Sequence, residues 1–398
     1  MKHGIIAKMY FIVTKFLDDS QIKAEQYQKT RSYLLNRGDY VIVHLITGVL
    51  NSNYTTKFAK FVNQNFEKEA HVFIGITKNL ALLDNVSKTG VKTFSVGSVR
   101  EAKKVFSIFR RAEKIVIHSL FSISDVVWLL LNSRLLSKTV WVLWGGDLYN
   151  YWLQEKHSLK ELTKEKLKRL VIKQLGGIAT FVEGDYNLVR EKYKTEARYF
   201  YTFYPNPVNF ELLDNANSNT QIAHSGLRKV LLGNSATWTN NHFEILSALS
   251  RIDDKSFKII CPLSYGDSAY AEEVIKFGYE LFGDRFAPLT QFLSSEEYAK
   301  VLASVDVAVF NHNRQQGLGN ILALLYLGKK VYIRDDITTF EFFDKHGIRV
   351  YNTKDILKKP NVDIFEYNEE IGKRNRDVIA TEFSEERCIE LWRKVFYE

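Results

Sequence analysis

The sequence has few of the residues that mark disulfide-rich or metal-stabilised proteins. Only 2 cysteines and 5 prolines occur among 398 residues, which excludes a disulfide framework and gives no proline-rich linker. Cys261 and Cys388 therefore fit a reducing compartment. The 9 histidines are scattered, with no H-x-x-x-H or C-x-x-C pair, so the sequence predicts no structural zinc site.

Long apolar runs and nucleic-acid motifs are also missing. No stretch reaches the roughly 20 apolar residues that span a bilayer, and the run from Trp128 to Leu131 is interrupted by Asn132 and Arg134. The apolar N-terminal stretch carries lysines and no signal-peptide cleavage site, so the cytoplasm is the expected location. Zinc-finger, RRM and basic-zipper patterns are absent. The net charge of +9 therefore favours a phosphate-bearing substrate or anionic lipid over nucleic acid.

What the chain does contain is an alternation of continuous apolar strands with helices, which predicts parallel βαβ units. Hydrophobic residues make up 45% of the sequence, and the length favours two domains. The predicted strands are 40–46, 71–76, 114–118, 139–144, 229–234, 257–261, 305–310 and 330–333. A helix is expected over 125–136, opened by the capping-box pattern at Ser122.

The pattern breaks near residues 204–220, where a polar stretch follows Tyr204 and Pro205. We therefore expect an α/β fold of two doubly wound, Rossmann-like domains that face a central cleft, where such folds bind ligands. The expected divisions are an N-terminal helical extension over 1–38, a domain over 39–210, a second domain over 220–380 and a last helix over 381–398. That last helix could cross back to the first domain.

The most informative segment is the loop from Asn313 to Asn320, which joins a strand-like run to a helix-like run. A helix that begins directly after such a turn offers unpaired N–H groups and the positive end of its dipole to an anion. We interpret the loop as a diphosphate cradle, whose residues are Arg314, Gln315, Gln316, Gly317 and Gly319. An ordinary βα loop with a surface arginine is the alternative.

A second strand–turn–helix segment lies upstream, where residues 229–233 run into Gly233, Asn234 and Ser235. Asn240 or Thr239 is expected to cap the helix that follows, near His242, and to leave N–H donors for a ligand. The alternative is a plain capped helix. Two such segments in one domain would hold both ends of a nucleotide diphosphate.

Three side chains are candidates for a general base that activates a hydroxyl group. Asp147 comes just after Gly145 and Gly146 at the end of a predicted strand, although an aspartate there could instead cap a helix. His118 ends its own strand, where a histidine is more often structural. Glu183 is the weakest of the three.

The chain has no D-x-D triplet, which a metal-dependent sugar-nucleotide enzyme would be expected to carry. No metal and no cofactor are therefore expected, and helix termini with Arg314 would neutralise a leaving diphosphate. The basic stretch from Lys156 to Lys173 fits a solvated face or a patch that binds anionic membrane lipid.

Together these segments resemble one family. The motifs are Trp144–Tyr149, Gly233–Ser235 with Asn240 and His242, Arg314–Gly319, and Ala269–Gly283, in the same order and spacing from about Tyr40 onward. They are similar to the bacterial transferases of 4-acetamido-4,6-dideoxygalactose (Fuc4NAc) in enterobacterial common antigen synthesis, also called 4-alpha-L-fucosyltransferases.

This resemblance implies a GT-B glycosyltransferase that uses a dTDP-linked deoxyamino sugar. The implied acceptor is an undecaprenyl-diphosphate-linked saccharide at the inner face of the bacterial cytoplasmic membrane, for common antigen or O-antigen. The donor would lie in the second domain and the acceptor in the first, with Asp147 as base. A GT-B-fold sugar-nucleotide epimerase and a non-catalytic sugar-nucleotide-binding subunit are the alternatives.

The chain departs from the family pattern beside the expected phosphate turn. Ala236 and Thr237 replace a glycine and an acidic residue, and Gly146 replaces an alanine. A further change falls in the stretch from Pro262 to Tyr265. These changes bear on the donor sugar and the nucleotide rather than on the fold.

Overall fold

The computed structural model describes residues 41–49, 53–77, 81–95, 99–205, 209–220, 227–358 and 363–398. The helix expected over residues 1–38 lies outside them. The described chain forms two compact units, which we term unit 1 (41–142 with 163–177) and unit 2 (143–162 with 178–398). The finer domain divisions stay predictions.

Unit 1 alternates strands and helices. Its elements before residue 143 are β1 (Ile42–Leu45), α1 (Asn53–Asn65), β2 (His71–Gly75), α2 (Ala81–Ser87), β3 (Lys92–Ser95), α3 (Val99–Arg111), β4 (Lys114–His118), α4 (Ile123–Leu131) and β5 (Thr139–Val142). The strands lie side by side and parallel in the order β3-β2-β1-β4-β5. Strands β1, β2 and β5 are buried along their whole length, as expected when helices cover both faces of a parallel sheet.

Six further elements follow along the chain. They are α5 (Gly146–Trp152), α6 (Leu159–Ile172), β6 (Gly177–Thr180), α7 (Glu183–Tyr193), β7 (Arg198–Tyr201) and α8 (Phe210–Thr220). The polar stretch near the expected domain boundary forms the second half of α8. Among the described residues, no helix is both long enough and apolar enough to cross a bilayer.

The rest of unit 2 is built around a six-stranded sheet in the order β10-β9-β8-β11-β12-β13. Its elements are β8 (Arg228–Leu232), α9 (His242–Ser250), β9 (Phe257–Pro262), α10 (Ser268–Phe282), β10 (Phe286–Leu289), α11 (Ser295–Ser304), β11 (Val307–Phe310), α12 (Leu318–Tyr326), β12 (Lys330–Ile333), α13 (Thr338–Lys345), β13 (Tyr351–Asn352), α14 (Thr353–Lys358), α15 (Glu369–Glu382) and α16 (Glu385–Tyr397). The strands pair in parallel. Apolar side chains of β8, β9 and β11 pack with those of α9 and α10 in its core.

All eight predicted strands are present, whereas β3, β6, β7, β10 and β13 escaped the sequence analysis. These five strands have at most four residues each, and several of their positions are polar or glycine. Because polar, glycine or proline positions interrupt them, they lack the continuous apolar run that marks equally short strands such as β1 and β11.

The helix expected over 125–136 is shorter than predicted. Its start is confirmed, because the Ser122 hydroxyl accepts the N–H of Asp125 at 3.5 Å. It ends at Leu131 because Asn132 leaves helical dihedral angles and donates its side-chain amide to the Trp128 carbonyl at 2.8 Å. A 3₁₀ turn over Ser133–Lys138 follows.

Candidate functional site

The strand order of unit 2 reverses between β8 and β11, because the chain first builds outward through β9 and β10 and then returns to add β11 beside β8. In open α/β sheets such a reversal opens a crevice at the carboxyl ends of the two strands, where ligands bind. The loops that follow β8 and β11 are the two that the sequence analysis selected.

Gly233 turns the chain at the end of β8. Its φ of +69° is rare for a residue with a side chain. A Cβ atom there would lie 2.7 Å from Nε2 of His242 and 2.8 Å from Oδ1 of Asn240. The backbone therefore passes so close to these two side chains that only glycine fits.

Asn240 is the centre of a buried hydrogen-bond network. Its Oδ1 accepts the N–H of Asn234 at 3.1 Å and lies 2.9 Å from Nε2 of His312. Its side-chain amide donates to the Thr237 carbonyl at 3.0 Å and to the Ser235 hydroxyl at 3.3 Å. The expected cap was wrong: Asn241, in left-handed conformation, is the N-cap of α9, because the Asn240 side chain ties the β8 loop to His312 instead.

Gln316 joins the loop after β11 to the loop after β8. Its Oε1 accepts the Thr239 hydroxyl at 2.6 Å, while its amide donates to Asn234 at 3.1 Å and to Ser235 at 3.3 Å. Nδ1 of His312 lies 3.1 Å from the Gln316 carbonyl. These contacts fix both loops against each other before any ligand is bound.

Burial keeps the imidazoles of this network neutral. It lowers the pKa of His312 to about 3, helped by the nearby positive charge of Arg314, and the pKa of His242 to about 4. Nδ1 of His242 lies 3.1 Å from the Tyr270 hydroxyl. The network is therefore an uncharged scaffold, and the positive charge at this crevice comes from elsewhere.

The N-terminus of α12 supplies part of the positive charge at this crevice. Gly317, the N-cap, has a φ of +66°, and a Cβ there would lie 2.9 Å from Cε1 of His312. The N–H groups of Asn320 and Ile321 both donate to the Gly317 carbonyl. Those of Leu318 and Gly319 have no hydrogen-bond partner among the described residues, so they remain available to an anion.

Arg314 supplies the rest of the positive charge at this crevice. Its guanidinium donates from Nη1 to the Gln315 carbonyl at 2.8 Å, but Nε is buried without a hydrogen-bond partner. It forms no ion pair within the described part of the chain, although Tyr149, Asp185 and Asp147 lie near enough to favour its charged form. Burial lowers the pKa of Arg314, yet guanidinium groups stay protonated in proteins. A mostly buried cation with an unused donor is a strong anion site.

The turn from Trp144 to Asp147 borders this arginine. Gly145 has a φ of +72°, and a Cβ there would lie 3.0 Å from the Gln315 carbonyl oxygen and closer still to its side chain. Oδ1 of Asp147 accepts the N–H of Trp144 at 2.9 Å, which closes the turn. The Asp147 carboxylate thus shapes the turn before α5, but the alternative that it caps this helix is wrong, because the N-cap is Gly145 and Asp147 lies inside the first turn.

His118 lies in unit 1, in a row of three buried imidazoles. Its Nε2 is 3.0 Å from Nδ1 of His44, and Nε2 of His44 is 2.9 Å from Nδ1 of His71. Burial lowers the pKa of His118 and of His71 to about 3. His118 is therefore a neutral member of a hydrogen-bonded row.

The structure brings together in unit 2 all ten residues predicted for ligand binding, together with Asp147. The sequence analysis missed Tyr265 and His312, which complete the network, and named Thr239 only as a possible helix cap; the Tyr265 hydroxyl accepts the Asn234 amide at 2.6 Å. His312 had a usable signal in the sequence, since it stands two residues before Arg314 at the end of a buried strand. Tyr265 carried no sequence signal beyond its proximity to a turn.

A fold of two parallel α/β sheets, each with a strand-order reversal, is the fold of the GT-B glycosyltransferases, and solved structures share it with this chain. A glycosyltransferase from Rickettsia africae matches 91% of this chain and 100% of its own at 13% identity and a TM-score of 0.62. HepE from Anabaena, in complex with UDP and glucose, matches 89% and 98% at 11% identity with a TM-score of 0.66. Sucrose-phosphate synthase from Thermosynechococcus elongatus matches 90% and 99% at 11% identity with a TM-score of 0.62.

The family is more specific than the fold. The model of the 4-alpha-L-fucosyltransferases, glycosyl transferase group 56, matches residues 41–397. The chain belongs to this family, and the protein is a glycosyltransferase.

Proposed function

We propose that this glycosyltransferase moves a deoxyamino sugar of the Fuc4NAc type from a dTDP-linked donor to a saccharide on undecaprenyl diphosphate, in common antigen or O-antigen synthesis. The observation that carries the donor part is Arg314, a mostly buried cation with an unused Nε donor. It stands four residues before the available N–H groups of Leu318 and Gly319. A nucleotide diphosphate has the negative charge that would pair with this cation and the oxygen atoms that would accept from these N–H groups.

In the proposed reaction the acceptor hydroxyl attacks the anomeric carbon of the donor sugar, and the bond from that carbon to the diphosphate breaks. The leaving diphosphate takes the electron pair, and Arg314 with the α12 N-terminus stabilises its charge. No divalent cation is needed in this scheme. Asp147 and His118 stay predictions for the group that takes the hydroxyl proton.

HepE supports the nucleotide part of the proposal by analogy of fold, because that protein was solved with UDP and with UDP-glucose. The choice of dTDP and of Fuc4NAc follows from the family's resemblance alone. The replacements at Ala236 and Thr237, next to the Asn240 network, make the nucleotide and the sugar the first points to test.

A thermal-shift panel with dTDP, UDP, GDP and CMP tests the donor site. A nucleotide at 100 times its dissociation constant stabilises the protein by about 2.7 kcal/mol, and we expect dTDP to do so with or without EDTA. Arg314→Ala should abolish the shift and lower turnover by about a hundredfold or more, the scale for losing one transition-state donor. Lys276→Gln is the control, since Lys276 is exposed on α10.

Each other outcome has a clear meaning. A shift with UDP or GDP alone would keep the glycosyltransferase and remove the dTDP assignment. Loss of binding in EDTA would contradict the metal-independent scheme. Binding without transfer to any lipid-linked acceptor would favour the non-catalytic subunit, and release of a free epimerised sugar would favour the epimerase.

For the lipid-linked acceptor, we propose that α6 lies against the anionic inner face of the cytoplasmic membrane. Leu159, Leu162 and Leu170 on this helix are exposed to 76%, 37% and 53%, and Lys160 and Lys166 are exposed among them. Exposed leucines that alternate with lysines suit the boundary of a lipid headgroup layer.

Two other lysines of α6 serve the fold instead. Lys164 donates to the Phe121 carbonyl at 2.6 Å, and buried Lys168 lies 5.2 Å from the centre of the Trp141 ring. These two lysines fit neither a solvated face nor a lipid-binding patch. Only its exposed lysines are available to lipid.

Co-sedimentation with vesicles that contain phosphatidylglycerol tests this contact. Because a basic residue near an anionic surface contributes about 1 kcal/mol, Lys160→Gln with Lys166→Gln should weaken binding by about thirtyfold. The double variant Lys276→Gln, Lys300→Gln removes the same charge from exposed sites of unit 2 and should bind normally. Equal loss in both pairs, or equal binding to phosphatidylcholine vesicles, would contradict a specific contact through α6.

A further inference from the structure

Asp185 is a buried carboxylate beside the anion site that the proposed reaction does not use. It lies in the first turn of α7 and is fully buried. Its Oδ1 accepts two hydrogen bonds, from the Tyr149 hydroxyl at 2.6 Å and from the Thr338 hydroxyl at 2.6 Å. Its Oδ2 is buried without a hydrogen-bond partner, so one oxygen is held and the other is unsatisfied.

Gly184 makes this arrangement possible. A Cβ at Gly184 would lie 2.8 Å from Cβ of Thr338, so glycine is what lets α7 approach α13 closely. Three elements thus converge on one carboxylate: α5 through Tyr149, α13 through Thr338 and α7 itself.

The charged neighbours of Asp185 define its electrostatic role. Arg314 lies near enough to stabilise its carboxylate charge, while Asp147 on α5 opposes that charge. On the outer side, Tyr199 of β7 feels the charges of both Asp185 and Glu183. Glu183 and Glu341 are both paired with Lys345, at 3.5 and 3.0 Å, so this exposed cluster has one positive and two negative charges. Arg314 is the one cation that acts on Asp185 among the described residues.

Burial dominates this balance. It raises the pKa of Asp185 to about 6, although Thr338, Tyr149 and Arg314 all act to lower it. At neutral pH the empty site therefore holds one guanidinium against two carboxylates. A diphosphate that binds Arg314 adds negative charge to that group, which weakens the support that Arg314 gives to the Asp185 carboxylate.

We propose that Asp185 is a carboxylate under the influence of Arg314 in the empty site and takes up a proton when a nucleotide diphosphate binds there. The inference rests on the proposed function for the ligand at Arg314. The proton moves from solvent to Asp185, where the unpartnered Oδ2 is the oxygen able to form the new O–H bond. The neutral acid then relieves the repulsion between the carboxylate and the diphosphate.

The direction of the pH effect follows from linkage. A site that gains a proton on binding loses affinity as pH rises above the pKa of the empty site. We expect the dissociation constant to rise by up to about tenfold per pH unit between pH 6 and pH 8. At pH 7, where the empty carboxyl is mostly ionised, binding should take up a measurable fraction of one proton.

Isothermal titration calorimetry with dTDP-glucose, or with UDP-glucose if the first panel selects UDP, measures this uptake directly. A sugar-linked diphosphate has no group of its own that titrates in this range. The experiment is run at pH 7 in two buffers of different ionisation enthalpy, and the difference in heat gives the number of protons. The dissociation constant is then followed from pH 6 to pH 8.

Asp185→Asn should abolish the uptake and make the dissociation constant independent of pH, so that the variant binds more tightly than the native protein at pH 8. Thr338→Val keeps the carboxyl but removes a hydrogen bond to its charged form. It should raise the pKa of Asp185 further, reduce the uptake at pH 7 and shift the loss of affinity to higher pH. Asp253→Asn, at an exposed aspartate, should leave both measurements unchanged.

Two kinds of failure are distinguishable. Binding without proton uptake, or uptake that persists in Asp185→Asn, would overturn the role of Asp185 while the donor site stands. Absence of binding by any nucleotide sugar would overturn the donor site itself and this inference with it. If Asp185→Asn does not fold, an unchanged uptake in Thr338→Val would still contradict the proposal.

Discussion

The two crevices where strand order reverses differ in how their polar groups are satisfied. In unit 2, at β8 and β11, Asn240, Gln316 and Asn234 hydrogen-bond one another and their neighbours across both loops. In unit 1, the order reverses between β1 and β4. There Asp125 and Ser119 are buried. The Ser119 hydroxyl has no hydrogen-bond partner among the described residues, and Thr47 is the one side chain there that hydrogen-bonds to the Asp125 carboxyl.

The backbone of the unit 1 crevice is also less relaxed. Ser119, directly after β4, has a φ of +94°, a conformation that costs energy in any residue with a side chain. Its hydroxyl occupies the space that a Cβ at Gly48 would need. The Thr47 hydroxyl accepts the N–H of Ile76 at 3.0 Å and lies near Asp125. Burial raises the pKa of Asp125 to about 7.

The difference shows two ways to build a polar crevice. Neutral amides that satisfy one another form a rigid frame around a single cation, and such a frame needs no ligand for its stability. A buried carboxyl with a single side-chain hydrogen bond instead costs stability until water, a proton or a ligand satisfies it. The amide frame of unit 2 is therefore preorganised, and the unsatisfied donor beside it is Nε of Arg314. In the unit 1 crevice the unmet capacity belongs to a buried carboxyl and a buried hydroxyl, those of Asp125 and Ser119.

The largest effect should come from breaking the frame of unit 2. Asn240→Leu leaves the buried N–H of Asn234 without its acceptor and the Thr237 carbonyl without the amide that donates to it, and it removes the contact with His312. Each buried polar group left unsatisfied costs about 1–3 kcal/mol, so the free energy of unfolding should fall by about 3 kcal/mol. Urea unfolding followed by circular dichroism measures it.

Asn132→Ala in unit 1 is the matched control for that variant. Asn132 is only half-buried and makes one side-chain hydrogen bond, to the Trp128 carbonyl. We expect a loss of at most about 1 kcal/mol. If Asn240→Leu cost no more than this, the two crevices would not differ in the way their polar groups suggest.

A smaller effect of opposite sign is expected in unit 1. Burial raises the pKa of Asp125 to about 7 in the folded state, against about 3.9 when unfolded, so the folded state binds more protons between these values and its stability falls as pH rises through them. Asp125→Asn removes this penalty. The free energy of unfolding gained by the variant should therefore be larger at pH 8 than at pH 5, growing by up to about 1.4 kcal/mol per pH unit between the two pKa values.

Urea unfolding of the native protein and of Asp125→Asn at both pH values provides the measurement. The change in the free energy of unfolding caused by Asp125→Asn is compared between the two pH values. Any effect of the asparagine side chain on packing is the same at both and therefore cancels. An equal change at pH 5 and pH 8 would show that the Asp125 carboxyl is satisfied in the folded protein, and the contrast with unit 2 would disappear.

Much of the fold and part of the site were predictable. Continuous apolar runs between helices identified eight of the strands, and the glycines with Arg314 pointed to the proposed anion site before any geometry was available. The cap of α9 was predicted wrongly, because Asn240 and Asn241 are equally good capping residues in sequence. Only the position of His312 determines which of them turns inward.

The sequence by itself determined the alternation of strands and helices, the family and the place of the Arg314 loop, because each depends on residues close together in the chain. Tertiary structure decided which distant side chains meet. Gln316 and Thr239 are 77 positions apart, and Thr338 and Asp185 are 153 apart. Strand order and register bring such loops together, and hydrophobic periodicity, which is local, does not specify that order.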